Sequence, residues 1–412
     1  MILTTTMRKQ MREAARLLMA GTASASMQKP AGLAPPRTPL PDFLRNMVPK
    51  MPDLPDFSAA NVGGNTESMP DFVRNLLGQL GVGGAEAGNV SAPVFRQPQS
   101  HETAQETAQP SAAPLPQKNA GNEGQFLTRS FSNHAGTRDY KLYIPANYHG
   151  QPLPLVVMLH GCTQNPDDFA NGTRMNLLAE EKQCFVVYPA QAKSANSSKC
   201  WNWFKSLDQQ RGKGEPAIIA GITQEVVNAY HLDSAKVYVA GLSAGGAMAV
   251  IMATTYPELY SAVGVHSGLP YGCAADLPSA LAAMRGGTPN RPASAAKNTH
   301  ASPPSVPIII FHGDSDTTVH MRNGEQLMKQ NSSQQPDVLI GQGHVPGGHR
   351  YTCTSHHGNE GQLLAEHWVI HGAGHAWAGG SQSGTYTDPK GPDATREMLR
   401  FFYAQVKPTP HN

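Results

Sequence analysis

The sequence contains no C-x-x-C pair. Its five cysteines, Cys162, Cys184, Cys200, Cys273 and Cys353, lack the spacing of a zinc site or a redox dithiol, so no metal centre is expected. Their odd number allows at most two disulfides, and composition alone leaves paired and reduced thiols both open. Charge is scarce as well. Charged residues make up 15% of the chain, and 32 Lys and Arg against 30 Asp and Glu leave a formal net charge of +2, which argues against nucleic acid as a partner. Long apolar runs are missing too, and no stretch is long enough to span a membrane. Near the start the longest apolar run is 17–20, far short of the roughly 7 to 15 residues of a secretory signal, and Arg8, Lys9, Arg12 and Arg16 interrupt what precedes it. A cytoplasmic location is the expectation that follows.

At 412 residues the chain has room for one large domain and an appendage. In residues 1–21, Met7, Met11, Ala15 and Leu18 recur at helical spacing and predict a short amphipathic helix with a basic outer face. Residues 22–125 are poor in β-branched and aromatic residues and rich in Pro, Gly, Ala, Gln and Ser, the composition of a low-complexity tail and linker. Within it Pro41-Asp42-Phe43-Leu44-Arg45-Asn46-Met47 reappears as Pro70-Asp71-Phe72-Val73-Arg74-Asn75-Leu76, and a third Pro-Asp-Phe stands at 55–57. These repeats read either as a docking motif for a protein partner or an apolar surface, or as helical decorations packed on the main domain or drift from a duplication.

From residue 126 the texture changes to short apolar runs alternating with helix-like stretches. That pattern predicts an α/β domain over 126–407, a mainly parallel sheet with helices on both faces. Strands are expected at 140–144, 155–159, 185–188, 237–241, 262–266, 306–311 and 366–371, with helices over 218–230 and 244–256. The runs from 155 to 311 are nearly continuous Val, Ile and Leu, as in strands buried on both faces. Residues 274–304 read as an irregular surface excursion.

The chemistry is concentrated at strand ends. Val237-Tyr238-Val239-Ala240 runs into Gly241-Leu242-Ser243-Ala244-Gly245-Gly246, a strand followed by G-x-S-x-G and a helix of small residues. This is the nucleophile-elbow pattern of the α/β-hydrolase fold. Its glycines permit a sharp turn and a close strand-to-helix approach, leaving the Ser243 hydroxyl exposed as the expected nucleophile of a serine esterase. Leu159-His160-Gly161-Cys162 closes an earlier strand, where such enzymes place the loop that supplies an oxyanion donor. The backbone amides of Cys162 and Ala244 are the candidates, and His160 reads as structural.

In such enzymes an acid follows the nucleophile in chain order, and a histidine follows the acid. Ile308-Ile309-Ile310-Phe311-His312-Gly313-Asp314-Ser315-Asp316 sets two aspartates just beyond a buried strand. Asp316 is the preferred acid, and Asp314 is expected to cap its own backbone turn. His371-Gly372-Ala373-Gly374-His375-Ala376-Trp377 follows the last strand, with His375 as the expected base and His371 as a structural group. Cys200-Trp201-Asn202-Trp203-Phe204 is an aromatic cluster in a loop-like region, suited either to line a cleft for an apolar or polymeric ligand or to pack on the core.

Taken together, six segments resemble the polyhydroxybutyrate (short-chain polyhydroxyalkanoate) depolymerase family of esterases, which is related to feruloyl and acetylxylan esterases. They are Leu159-His160-Gly161-Cys162-Thr163-Gln164, Gly172-Thr173-Arg174-Met175-Asn176, Cys200-Trp201-Asn202-Trp203-Phe204, Gly241-Leu242-Ser243-Ala244-Gly245-Gly246, His266-Ser267-Gly268-Leu269-Pro270 and Gly374-His375-Ala376-Trp377. The resemblance covers about 126–405. It implies hydrolysis of 3-hydroxybutyrate polymers or oligomers through an acyl-enzyme on Ser243, with Asp316 and His375 completing a triad and no metal or organic cofactor. It also points to Trp201, Trp203 and Trp377 around the substrate, and to a disulfide between Cys162 and Cys200. Secreted members of the family carry a signal peptide and usually a separate polymer-binding domain, neither of which is visible here, so the expectation is a cytoplasmic enzyme acting on oligomers or on granules to which its Pro-Asp-Phe repeats dock, with export by a route that needs no obvious signal as the alternative. A feruloyl or acetylxylan esterase is the alternative within enzymes. A non-catalytic scaffold is the alternative outside them, and the intact order Ser243, Asp316, His375 argues against it.

Overall fold

The computed structural model describes residues 124–286, 306–331, 337–405 and 407. The amphipathic helix expected at 1–21 and the Pro-Asp-Phe repeats lie outside these residues. The described chain opens with a hairpin of β1 (Gln125–Asn133) and β2 (Gly136–Ile144), paired antiparallel in the register Asn133↔Gly136. Its two-residue turn is closed by the Asn133 side chain, which accepts from the Ala135 N–H at 2.9 Å.

Five strands then form the centre: β3 (Leu155–Leu159), β4 (Phe185–Pro189), β5 (Val237–Leu242), β6 (Ala262–His266) and β7 (Ile308–Gly313). After them come β8 (Asp337–His344), β9 (Arg350–His357) and β10 (Leu363–Ile370). The ten strands make one sheet in the order β1-β2-β4-β3-β5-β6-β7-β10-β9-β8, parallel from β4 through β10 and antiparallel at both ends. A two-stranded parallel pair, β11 (Trp377–Ala378) and β12 (Thr387–Asp388), stands apart from it.

Alternation along each central strand explains the apolar runs. Leu155, Val157 and Leu159 enter one core with Val237, Val239, Ile308 and Ile310, whereas Val156 and Met158 enter the other with Tyr238, Ala240, Ile309 and Phe311. The second core is covered by α1 (Pro166–Thr173) and α2 (Met175–Lys182), the first by α3 (Gly214–Ala229), α4 (Ala244–Thr255), α5 (Leu277–Met284) and α6 (Arg322–Asn331). Finally α7 (Ala394–Tyr403) lays Met398, Leu399, Phe401 and Phe402 into the second core. This is the α/β-hydrolase fold.

Three local expectations are refined. α3 begins at Gly214 rather than 218, because Pro216 suits a first helical turn and the Asp208 carboxylate accepts from the Glu215 N–H at 2.8 Å. The excursion over 274–304 contains the regular helix α5, capped by the Asp276 side chain on the Ser279 N–H, with Pro278 in its first turn. Residues 287–305 lie outside the described part. β1, β8 and β9 were not expected as strands. They lie at the two antiparallel ends, where side chains are only partly covered and the apolar signal is weak.

Strand order reverses at β3: the next strand, β4, lies on one side of it and β5 on the other. In open α/β sheets the crevice at such a reversal, outside the carboxyl ends of the strands, is where ligands bind. His160 to Gln164 follow β3 and Ser243 follows β5, so the sequence motifs fall at that crevice.

The elbow depends on two close backbone approaches. A Cβ on Gly245 would stand 2.0 Å from the Leu159 carbonyl oxygen, and one on Gly241 would stand 2.4 Å from the Gly245 carbonyl. Both obstacles are backbone, so neither can swing aside. Gly245→Ala is therefore expected to cost about 1–3 kcal/mol or more by forcing α4 away from β3. Thermal unfolding reads the loss, and an unchanged Tm would count against it.

Candidate active site

Ser243 sits between β5 and α4 with φ 57° and ψ −121°, a backbone conformation that a serine rarely adopts. The turn is held from both sides: the Ser243 N–H donates to the His266 carbonyl, and its own carbonyl accepts from the Ala247 N–H, each at 2.9 Å. Ala244 is the first residue of α4, where the helix itself offers no acceptor for the N–H.

The loop after β3 faces this turn. Gly161 donates its N–H to the Gln164 side-chain oxygen at 2.9 Å, and Thr163 donates to the Ser198 carbonyl at 2.7 Å. Between them lies Cys162, joined by a disulfide to Cys200. His160 is buried beneath the loop. Its Nδ1 donates to the Gly161 carbonyl and its Nε2 accepts from the Gln191 N–H at 3.1 Å, which fixes a neutral ring; burial lowers its pKa to about 4. The Trp201 indole N–H donates to the His160 carbonyl at 3.1 Å. Behind Trp201, the carboxylate of Glu215 accepts from the backbone and side-chain amides of Asn202 at 2.7 and 2.6 Å and from the Gln191 side-chain amide. Burial, together with nearby Asp208, raises its pKa to about 7. The aromatic segment is thus a brace for the loop at 160–164.

The bridge between Cys162 and Cys200 carries its own prediction. Denatured, unreduced protein is expected to titrate three thiols, Cys184, Cys273 and Cys353, and five free thiols there would remove the crosslink. Replacing both bridged cysteines by serine is expected to lower stability by about 4 kcal/mol, since the bond closes a 38-residue loop.

Asp316 and His375 come together from the loops after β7 and β10, which are parallel neighbours with Ile370 level with Gly313. His375 Nδ1 lies 2.7 Å from Asp316 Oδ2, while Asp316 Oδ1 accepts from the N–H groups of Thr318 and Val319 at 2.9 and 2.8 Å. Burial alone would raise the Asp316 pKa, but the His375 hydrogen bond and charge, with His312 and the Val319 N–H, hold it below the usual carboxylate range. An ionised Asp316 makes Nδ1 the protonated nitrogen of a neutral His375, and Nε2 is then free to take a proton.

Asp314 does not cap its own turn. Its carboxylate accepts from the Gly372 N–H at 2.7 Å and from His371 Nδ1 at 2.9 Å, so it fastens the segment that carries His375. His371 also contacts the Thr352 hydroxyl through Nε2.

Gly161, Cys162, Gln164, Leu242, Ser243, His375 and Tyr386 line one cleft of about 220 Å³. The three tryptophans expected around the substrate are not among them. Trp201, Trp203 and Trp377 are buried. Trp377 stacks on His266 with ring centres 5.3 Å apart and donates to the Thr395 hydroxyl at 3.0 Å; Trp203 packs edge-on against Phe204. Each indole is placed by the core, which corrects the reading of these residues as ligand contacts. Gln164 and Tyr386 are the lining residues that sequence reasoning missed. Gln164 stood inside a quoted motif without a role, and Tyr386 lies in a Ser-, Gly- and Thr-rich stretch with no local signal. Among the described residues no group of three or more His, Cys, Asp or Glu is placed to hold a metal ion, and no helix is long and apolar enough to cross a membrane.

Residues 138–337 match the family described as esterase PHB depolymerase. Poly(3-hydroxyalkanoate) depolymerase C of Paucimonas lemoignei is 33% identical over 272 residues, covering 63% of this chain and 61% of that protein. Acetylxylan esterase A of Talaromyces purpureogenus is 33% identical over 218 residues, 50% of this chain and 56% of its own. The structure of an acetyl xylan esterase from Aspergillus awamori matches with a TM-score of 0.52 at 23% identity, over 68% of this chain and 99% of the other, a likeness of fold. The chain spans about three fifths of the length of the curated relatives it matches.

Proposed function

We infer, from the match of residues 138–337 to the esterase PHB depolymerase family, that this protein is a serine esterase that cleaves poly(3-hydroxybutyrate) or its oligomers through an acyl-enzyme on Ser243. The observation that carries the reading is the 2.7 Å contact of His375 with a buried Asp316, in a cleft that Ser243 and His375 both line.

In this mechanism Ser243 Oγ attacks the ester carbonyl carbon as its proton passes to His375 Nε2. Asp316 stabilises the imidazolium through Nδ1–H without itself taking the proton. The carbonyl oxygen, now an oxyanion, accepts from the N–H groups of Cys162 and Ala244. The amides on either side of Cys162 are already spent within the protein, and Ala244 opens a helix, which supports this pair. Each such donor is worth about 3–4 kcal/mol in the transition state. His375 then protonates the departing alkoxide, and a water activated by the same ring releases the acid and restores Ser243.

Acetyl ester cleavage is the second reading, favoured by the likeness to acetylxylan esterase A. Hydrolysis of 3-hydroxybutyrate oligomers, amorphous polymer, acetylated xylan and methyl ferulate, side by side, separates them. Turnover of the hydroxybutyrate substrates is expected. Acetylxylan or ferulate cleavage without it would keep the mechanism and overturn the substrate.

A further inference from the structure

Tyr386 sits in the loop between β11 and β12 with φ 53°, a left-handed conformation that costs a tyrosine strain. The strain is sustained because the chain around it is pinned. The Tyr386 carbonyl accepts from the Trp377 N–H at 2.7 Å. Beside it, Thr385 donates its N–H and its hydroxyl to the Asp168 carboxylate at 2.9 and 2.6 Å, and its carbonyl accepts from the Gln164 side-chain amide at 3.1 Å. Held in this way, the tyrosine lines the cleft of Ser243 and His375 while remaining 36% exposed.

The hydroxyl fixes the outer end of the ring. Tyr386 Oη lies 3.2 Å from Thr163 Oγ1, which donates its own proton to the Cys162 carbonyl at 2.6 Å, so the tyrosine is the donor of that pair. Thr163 is itself strained, with φ 67°. The ring therefore reaches from the β11–β12 loop to the residue next to Cys162. At that point the ring stands beside Ser243 and His375 in the lining of the same cleft.

We propose that Tyr386 is a specificity-determining residue: a fixed wall that restricts the cleft to short aliphatic acyl groups and turns away long-chain ones. The assignment rests on the esterase reading above and names the substrate class of that site.

The test compares kcat/KM for p-nitrophenyl acetate, butyrate, hexanoate and octanoate in the unmodified protein, Ser243→Ala, Tyr386→Phe, Tyr386→Asn and Tyr386→Gly. Asn and Gly tolerate a positive φ, so they remove the ring without straining the loop. Each is expected to raise the octanoate-to-acetate ratio about tenfold or more, the scale on which apolar pockets discriminate chain length. Tyr386→Phe keeps the ring but releases its outer end from Thr163, so it is expected to raise the ratio less than the Asn and Gly variants do. An unchanged ratio in both Asn and Gly variants, with Ser243→Ala inactive, would overturn the wall while leaving the esterase mechanism standing. Equal rates for the unmodified protein and Ser243→Ala on every ester would overturn both.

Discussion

Ser243→Ala is expected to lower kcat on a soluble ester by about 10⁶-fold, the scale seen when a hydrolase of this kind loses its nucleophile. Without Oγ no acyl-enzyme forms, and His375 has no serine proton to take. What survives is the part of the acceleration due to binding and the oxyanion donors, roughly 10³- to 10⁴-fold over water. The fold should be untouched. Alanine and serine suffer alike at φ 57°, and the turn is held by backbone bonds to His266 and Ala247 that involve no hydroxyl. Initial rates beside a thermal melt decide the matter. A folded variant keeping even one hundredth of the original turnover would remove Ser243 from the chemistry.

Asp316→Asn should follow with a loss of about 10⁴ in kcat. The amide matches the carboxylate in shape and can still accept from the Thr318 and Val319 N–H groups, so the loop keeps its course. What changes is the charge facing His375 Nδ1 at 2.7 Å. A carboxylate held below its ordinary pKa stays ionised wherever the imidazole is neutral and active. An amide has no such charge, and its N–H₂ can turn toward Nδ1 and favour the wrong tautomer. Asp314→Asn provides the contrast. It weakens the bonds to Gly372 and His371, about 1 kcal/mol apiece, and leaves the charge beneath His375 in place. If Asp314→Asn were the more damaging of the two, the acid would be misassigned.

The difference between these two aspartates shows how far the sequence could be read. Chain order admits both, because β7 and β10 are parallel neighbours and the loops leaving them start level; the 2.7 Å contact with His375 is what separates Asp316 from Asp314, which meets His371 instead. That rule depends on local strand patterns, and those were clear for strands buried on both faces. It failed where a strand has little to bury. β8 exposes Val338, Leu339 and Ile340 at the sheet edge, and its residues carry no alternation that burial could impose. The tryptophans misled for a related reason. An indole in a loop-like segment suits a ligand as well as a core, and only the acceptors at His160 and Thr395 show which applies to Trp201 and Trp377. Tyr386 left no trace in its neighbours because its placement is set by Asp168 and Thr163, more than two hundred residues away in the chain.

The strand order also sets a timetable for the protein as it is made. Ser243 leaves the ribosome with β5, but its histidine follows only after β10 has been synthesised, and α7, which packs against β6 and β7, comes later still. At 5–20 residues per second the elbow waits on the order of ten seconds for His375, its proposed base. Through that interval the nascent chain holds a serine with nothing to activate it. A product truncated before His375 is therefore expected to be silent rather than weakly active, and ester hydrolysis becomes a report that translation has passed β10.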